Sequence, residues 1–533
     1  MSNDSGGHRG LDCAIIVAVQ CLLVLLLRPF QDAPFIDDWS YAWPVEHLLR
    51  TGRLASLEYA NNVNTVQVLW GSLFCLPAGF SFSALRLSTW VLATAGLCVF
   101  HLFLRDLDVR RRDALVGTAL LAFNPIFFIL AFSFMTDVPF VMLTLAATWA
   151  FTRAVRRAST PWLIQASILA CLACGIRVVG VVWPIAAAIV LLLNTGPWGR
   201  RPGRLLLALL PLVAFVLLAT WNADHIVRSA DLSDLPNSPG NRLKDLREFG
   251  IASLPEMTLA AVVTGAAVLG LSLAPLSLAM IDRRGASRIA IAMVALLLLV
   301  GWMPRSFQPL ASGSTWSWRE IGYVDVPNRP SVPPPTWLAY PLGVMAIVSS
   351  AVVLSGIVRR KAEPILVWQI VGHMLIIAAV WLFYDRFYLI VLPPVIALML
   401  ADRPIPRPRW AVTLIAPLAM ICLIGARDHL AYNRALWAGV ARLHEIGART
   451  DEIDAGYTAN AWLQYAHPEN APRDEAGRIW ISGFTVEDVP RYQLSDRLMP
   501  GTEVIGSVPY RRWLGSSGAI YLLRYPLPVN RHH

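Results

Sequence analysis

Long apolar runs alternate with short polar segments over the first 426 residues of the chain. A helix needs about 20 mainly apolar residues to cross a bilayer, and most of the runs come near that length. We therefore predict thirteen membrane-spanning helices, near residues 12–30, 83–104, 113–131, 138–153, 161–176, 178–194, 204–221, 256–281, 288–303, 336–358, 364–383, 386–401 and 410–426. No small-residue cleavage site follows the first run, which we interpret as a retained helix and not a signal peptide.

One further apolar stretch, at residues 66–80, is interpreted as an interfacial or re-entrant helix. It contains Gly71, Pro77 and Gly79 and is too short to suit a full crossing. Leaving it out of the count places six arginine clusters on one side, which the positive-inside rule assigns to the cytoplasm. With the N-terminus inside, the outer face carries a long first loop (31–82), the turn at Asp137 and everything after residue 426.

Composition excludes several classes of protein. Hydrophobic residues make up 56% of the chain and charged residues 15%, against about 45–50% and about 25% in soluble proteins. A cytosolic enzyme, a disordered chain and a disulfide-stapled secreted domain are therefore ruled out. The net charge of +10 comes from arginines between apolar runs, so it indicates membrane topology and no nucleic-acid partner.

The chain after residue 426 loses the long apolar runs and gains charge. A helical pattern covers residues 430–446, and strand-like patterns lie around 454–458, 478–481 and 519–524. We predict two domains: a mainly α, polytopic transmembrane helical bundle at 1–426 and a small extracytoplasmic α/β domain at 427–533.

Three acidic residues stand close to predicted outer helix ends. Asp37 and Asp38 open a probable helix just after the first span, where either could simply be a helix N-cap. Asp137, between the third and fourth predicted spans, could also cap a helix. Its surroundings are almost wholly apolar, however, and a buried carboxylate without a partner is costly. Asp137 therefore needs a cation, a donor or a role.

Two basic positions are candidate partners for these acids or for a phosphate. Arg177 interrupts two apolar helices near the same face, and its guanidinium could bind phosphate oxygens through paired donors. Pairing of Arg177 with Asp137 or Asp37 is the alternative. Asp385 and Arg386 form a charged step before a later span, where they could neutralise each other or meet a lipid headgroup.

In this arrangement the chain resembles the polytopic glycosyltransferases of the GT-C superfamily, especially the branch of protein O-mannosyltransferases and aminoarabinose transferases. Those enzymes carry an acidic pattern like D-E-x-x-Y-A in the first outer loop and a second acid after the third helix. Asp37, Asp38, Tyr41 and Ala42 match the first pattern, and Asp137 matches the second.

Two more motifs add to the resemblance. Arg177 falls where the family tends to place a basic residue after its fifth helix, and Arg386 and Tyr388 begin a stretch like its later R-Y-x-x-x-x-P. The chain departs from the family at Asp38, where Glu is commoner, and at residues 62–66, which lack the Lys-Pro or His-Pro of relatives.

The resemblance implies a GT-C-like fold and transfer of a sugar from a polyprenyl phosphate to an acceptor at the outer face. A lipid phosphate is a good leaving group, so such an enzyme needs a base for the acceptor hydroxyl and cations for the departing charge. We expect Asp37 to be the base and the anomeric carbon to invert. Asp38 and Asp137 would orient the sugar or the acceptor, or share a divalent metal ion.

The remaining predicted site residues would bind substrate. Arg177 and Arg386 would bind the phosphate. Tyr41, Asp385 and Tyr388 would contact the substrate beside it. The acceptor could be a lipid, a glycan or a protein, and the arginine-rich composition suggests a GC-rich bacterium with the site facing the periplasm or cell wall. The rival hypothesis is a transporter or flippase for a lipid-linked saccharide.

Overall fold

A computed structural model describes most of the chain. It covers residues 4–57, 64–194, 202–223, 226–227, 254–281, 289–290, 293–294, 336–357, 363–380, 385–470, 491–513, 515 and 517–526. Helices α1 to α16 are Asp4–Leu27, Asp38–Thr51, Thr65–Cys75, Phe82–Asp106, Arg111–Ala122, Pro125–Leu130, Asp137–Arg156, Thr160–Cys174, Val182–Leu193, Pro202–Ala223, Leu254–Met280, Thr336–Ile357, Pro364–Val380, Leu392–Asp402, Pro408–Glu445 and Tyr457–Asn460. Strands β1 to β6 are Ser56–Leu57, Ile226–Val227, Ile453–Asp454, Tyr492–Ser495, Glu503–Tyr510 and Gly518–Arg524.

The mainly helical membrane fold is confirmed, but the count of thirteen spans is not. Within the described ranges, five helices are long and apolar enough to cross a bilayer: His8–Leu27, Phe82–Asp106, Asp137–Arg156, Pro202–Trp221 and Pro408–Glu445. Several other predicted spans form shorter helices, because their apolar runs continue through helix ends. The run at 113–131, for example, breaks where Asn124 caps α6 by accepting hydrogen bonds from the backbone N–H groups of Ile126 and Phe127. The span predicted at 288–303 lies mostly outside the described residues.

The stretch at 66–80 forms α3, a helix of 11 residues. At about 1.5 Å per residue it is too short to cross a hydrocarbon core about 30 Å thick. The first turn of α3 is bound to the segment after α8, because the N–H of Val66 donates a hydrogen bond to the carbonyl of Gly175 at 3.0 Å. The interpretation as an interfacial or re-entrant helix stays a prediction.

Charged residues from several helix ends meet in one polar layer. Asp106, at the end of α4, accepts hydrogen bonds from Arg9 of α1 at 2.9 Å and from Arg153 of α7 at 2.6 Å. Asp12 of α1 binds Arg111 of α5 at 2.7 Å. Residues 105–112, 153–157 and 403–409 are three of the six arginine clusters counted from the sequence. They share one end of the bundle, because the N–H of Ile405 donates to Oδ2 of Asp113 in the first turn of α5 at 3.3 Å.

The opposite helix ends carry the predicted site residues. Asp37 follows α1, Asp137 begins α7 and residue 177 follows α8, while residue 386 precedes α14. Helices α7 and α8 are antiparallel neighbours, so the start of one lies beside the end of the other. Charged groups therefore lie at both ends of the described helices, and the assignment of the two ends to the two sides of the membrane stays a prediction.

The C-terminal residues form a small sheet on the end of a long helix. Helix α15 has 38 residues and runs without a break through residue 426, the predicted domain boundary. Strands follow the order β3-β4-β6-β5, with β3 and β4 parallel and the other pairs antiparallel. The strand expected at 454–458 ends at Asp454, because Gly456 adopts φ 82° and turns the chain into α16. The strand expected at 478–481 lies outside the described residues.

Candidate active site

The loop that leaves α1 is held by an arginine of α4. Arg86 is fully buried; its Nη1 donates to the carbonyl of Gln31 at 2.5 Å and its Nη2 to the carbonyl of Ala33. The guanidinium also lies over the ring of Phe35, 4.6 Å from its centroid. These contacts determine the path of the loop and therefore where residues 36–38 lie.

Asp38 is a buried structural partner of this arginine. Its Oδ1 accepts a hydrogen bond from the N–H of Phe35 at 2.8 Å, and its Oδ2 lies 3.5 Å from Nη2 of Arg86. The carboxyl group also binds the backbone N–H of Phe134. Asp38 is 0% exposed, so its contacts hold the first loop and the segment before α7 together.

Burial makes Asp38 sensitive to pH. Removal from water raises the pKa of this carboxyl to about 6, although Arg86 opposes the shift. Because the pKa is about 3.9 in an unfolded chain, the folded state binds the proton more tightly. The protonated Asp38 therefore contributes fully to the free energy of unfolding below a pH of about 4. This contribution is lost as the pH rises through about 6.

Asp38→Asn tests this linkage. Asparagine cannot ionise, so the variant lacks the contribution at every pH. We expect the midpoint of thermal unfolding of the wild type, relative to that of Asp38→Asn, to fall as the pH rises from 4 to 7. Thermal scans of both proteins in the same detergent measure the difference, and a difference that is constant with pH would contradict the assignment.

Asp37 presents a different environment. Its Oδ2 accepts hydrogen bonds from Nη1 and Nη2 of Arg386, both at 3.2 Å, and its Oδ1 accepts one from the hydroxyl of Tyr457 at 2.8 Å. The side chain is 17% exposed. It sits at the N-cap position of α2 but makes no capping hydrogen bond, so helix capping does not account for it.

The residue before Asp37 has an unusual backbone conformation. Ile36 has φ 58°, in the left-handed region that β-branched residues rarely adopt. Such conformations cost about 1–3 kcal/mol and persist where surrounding contacts enforce them. Here Thr458 supplies one of these contacts, because its hydroxyl donates to the carbonyl of Ile36 at 3.1 Å.

Asp137 and Arg177 form a second ion pair. Nη1 of Arg177 donates to Oδ1 of Asp137, which is 2% exposed, so the structure realises one of the two pairings that the sequence left open. Oδ2 of Asp137 is buried and has no hydrogen-bond partner among the described residues. The chain segment just before Asp137 is fixed at Phe134, whose carbonyl accepts a hydrogen bond from Nε2 of Gln67 at 2.8 Å.

The two ion pairs meet at the short 3₁₀ helix Asp385–Ile390. The guanidinium of Arg177 lies 5.6 Å from the ring centroid of Phe387, and Phe387 follows Arg386, which binds Asp37. The structure thus brings Asp37, Asp137, Arg177 and Arg386 together from distant segments of the chain. One partly exposed site holds two carboxylates and two guanidinium groups.

Three other predicted site residues, Asp385, Tyr388 and Tyr41, are buried. Oδ1 of Asp385 accepts the backbone N–H of Arg386 at 2.7 Å. Tyr388 is 0% exposed and packs against α11 at Gly265, and Tyr41 is buried in the main core. The two tyrosines would have to move to touch a substrate, and their predicted role stays a prediction.

Sequence reasoning missed Arg86, Gln67 and Tyr457. Arg86 had a signal, because it is the first charged residue within the apolar run of α4 and a charge there requires partners. No sequence signal pointed to Tyr457, since it lies 420 residues from Asp37 in the chain.

The residues at the site do not form a centre for the divalent metal ion considered from the sequence. Nowhere in the described ranges could a group of three or more His, Cys, Asp or Glu side chains hold a metal. The accessible carboxylate, Asp37, is instead satisfied by a guanidinium and a phenol.

Comparisons with known proteins give distant structural matches and one family match. No curated protein matches the chain. Among solved structures, ArnT from Cupriavidus metallidurans bound to undecaprenyl phosphate is 12% identical and has a TM-score of 0.38, over 95% of this chain and 97% of that one. The oligosaccharyltransferase AglB from Archaeoglobus fulgidus, in complex with an inhibitory peptide and a dolichol-phosphate, is 11% identical with a TM-score of 0.36, over 90% and 69%.

A family model gives the more specific match. It covers residues 68–221, which include Asp137 and Arg177 but neither Asp37 nor Arg386. The family is described as dolichyl-phosphate-mannose-protein mannosyltransferase. Over that segment the resemblance inferred from the sequence is therefore confirmed, and the chain is similar there to the dolichyl-phosphate-mannose-protein mannosyltransferases.

Proposed function

We propose that the protein is a membrane glycosyltransferase that moves a sugar from a polyprenyl phosphate to an acceptor hydroxyl. The observation that carries the proposal is the pair of acid–arginine contacts, Asp37 with Arg386 and Asp137 with Arg177, joined at Phe387. The family match over residues 68–221 supports a lipid-phosphate-linked donor. The predicted topology assigns the site, and the C-terminal sheet, to the outer face.

The reaction requires one base and a place for negative charge. The acceptor hydroxyl oxygen forms a bond to the anomeric carbon while the bond from that carbon to the phosphate oxygen breaks. The bonding electrons leave with the polyprenyl phosphate, and the hydroxyl proton passes to a carboxylate. Attack opposite the leaving phosphate inverts the anomeric carbon.

Asp37 is the carboxylate best placed to take this proton. A general base must reach the hydroxyl within hydrogen-bond distance, and Asp37 is 17% exposed while Asp38 is 0% and Asp137 2% exposed. We therefore assign Asp38 a structural role, in place of the catalytic one expected from its position beside Asp37. Asp137 orients Arg177.

The two arginines supply the positive charge for the leaving phosphate. A guanidinium has five N–H donors, so its geometry allows it to bind a carboxylate and phosphate oxygens together. The side chains of Arg177 and Arg386 are 16% and 18% exposed. Both can therefore meet a lipid phosphate without first leaving their acidic partners.

Product analysis separates this proposal from a transporter or flippase of the same lipid. The purified protein is placed in liposomes made from native membrane lipids, together with the cell-envelope fraction as acceptor. Mass spectrometry then follows the ratio of free polyprenyl phosphate to its sugar-linked form, with protein-free liposomes as the control. We expect free polyprenyl phosphate to accumulate and the sugar to appear on the acceptor. A lipid that crosses the bilayer with its sugar still attached would instead indicate a flippase.

A further inference from the structure

We propose that the C-terminal residues complete the site, with Tyr457 acting as a positioning residue for Asp37. This inference rests on the proposed function, because it assigns Asp37 the role of base. It gives the C-terminal domain, for which sequence and family resemblance suggested no role, an indirect part in the transfer reaction, through the orientation of Asp37.

The contact between Tyr457 and Asp37 restrains the carboxylate from a second direction. Tyr457 donates to Oδ1 at 2.8 Å, and Arg386 donates to Oδ2 from another segment at 3.2 Å. A carboxylate held at both oxygens cannot rotate freely about its Cβ–Cγ bond. Each oxygen has two lone pairs, so Oδ1 can still accept the hydrogen of an incoming hydroxyl.

The backbone that carries Tyr457 is itself rigidly held on the side of the sheet. Oδ1 of Asp454 accepts the N–H of Gly456 at 2.9 Å and Nδ2 of Asn460 at 2.8 Å, and Nε2 of Gln493 donates to its Oδ2 at 3.2 Å. Asn460 is 1% exposed, and its Oδ1 accepts a hydrogen bond from the N–H of Ala455 at 3.0 Å. This buried network closes the turn immediately before Tyr457 and ties it to β3 and β4.

The same segment is anchored to the first loop on the other side. Thr458 donates to the carbonyl of Ile36, and the ring of Tyr465 packs edge-on against Trp39 at 5.5 Å. Trp39 is 0% exposed. Contacts to the sheet on one side and to the first loop on the other therefore fix the position of Tyr457 relative to Asp37.

Tyr457→Phe in the full-length protein tests the proposal. The variant keeps the ring and deletes the hydroxyl, so the base is left less well oriented. We expect kcat of sugar transfer to fall about 10-fold, with the KM for the lipid-linked donor unchanged.

Tyr465→Phe is the matched control, because it deletes a phenol hydroxyl from the same segment while its ring still packs on Trp39. Its kcat and its donor KM should equal those of the wild type. As a second variant, Thr458→Val loosens the segment without touching Asp37 and should lower kcat about threefold with the donor KM unchanged.

The outcomes separate the inference from the proposed function. A wild-type protein that transfers no sugar refutes the function and the inference with it. An active wild type with a Tyr457→Phe variant of equal or higher kcat, or with a raised donor KM, overturns the inference alone. A loss of kcat at unchanged donor KM, absent from Tyr465→Phe, supports it.

Discussion

Replacing Asp37 by asparagine is expected to lower kcat of sugar transfer by about 10²–10⁴-fold, the usual contribution of a general base. Asparagine is close in shape and can still receive a hydrogen bond from Tyr457 or Arg386, so the site should keep its structure. What it cannot do is take the proton of the acceptor hydroxyl. Donor binding should change little, because Arg177 keeps its own acidic partner.

The measurement is the initial rate of free polyprenyl phosphate release at saturating donor, with purified proteins in identical liposomes. Asp108→Asn is the control for the chemical change. Asp108 is exposed and has φ 62°, a conformation that asparagine tolerates well. It should retain wild-type activity. An Asp37→Asn protein with a rate within threefold of the wild type would remove Asp37 from the role of base.

Replacing Arg86 by methionine is expected to lower the free energy of unfolding by about 3–5 kcal/mol, the usual cost of leaving one member of a buried ion pair alone. Methionine fills a similar volume but donates no hydrogen bond. Asp38 then loses its cation, and the carbonyls of Gln31 and Ala33 lose their donor inside the protein. Because these contacts direct the loop toward Asp37, transfer activity should fall with stability.

Thermal unfolding in detergent measures this effect. Arg524→Met is the matched control, since the side chains of Arg524 and its partner Glu503 are 44% and 62% exposed and an exposed ion pair contributes about 1 kcal/mol or less. The double variant Arg86→Met with Asp38→Leu removes both charges and should recover part of the lost stability. Equal midpoints for Arg86→Met and Arg524→Met would show that the Arg86 contacts do not stabilise the loop.

Several features of the protein follow from the sequence because they depend on local chemistry. Asp137 needs a partner since an unpaired carboxylate among apolar residues is costly, and the structure supplies Arg177. Residues 66–80 differ from the predicted spans in their length and glycines, and they form a helix of only 11 residues. Helix ends are less predictable, because a hydropathy pattern does not register a cap such as Asn124 inside an apolar run.

The roles within the acidic pair cannot be inferred in the same way. Asp37 and Asp38 are adjacent and chemically identical in the sequence, yet one is 17% and the other 0% exposed. The difference arises because Arg86 and the backbone of Phe134 enclose Asp38, while Arg386 and Tyr457 leave Asp37 at the edge of the site. None of these four residues is a sequence neighbour of the pair, and only the fold brings them to it.

Sequence alone determined that this chain is a helical membrane protein. It also predicted that most arginine clusters lie at one set of helix ends and that Asp37, Asp137 and Arg177 lie near the other. Those properties follow from the cost of placing polar groups in hydrocarbon, which acts on each segment separately. Only the tertiary structure decided which acid pairs with which arginine, and that a tyrosine 420 residues away holds Asp37. Hydrogen bonds act over about 3 Å, so their partners are defined only once distant segments have packed together.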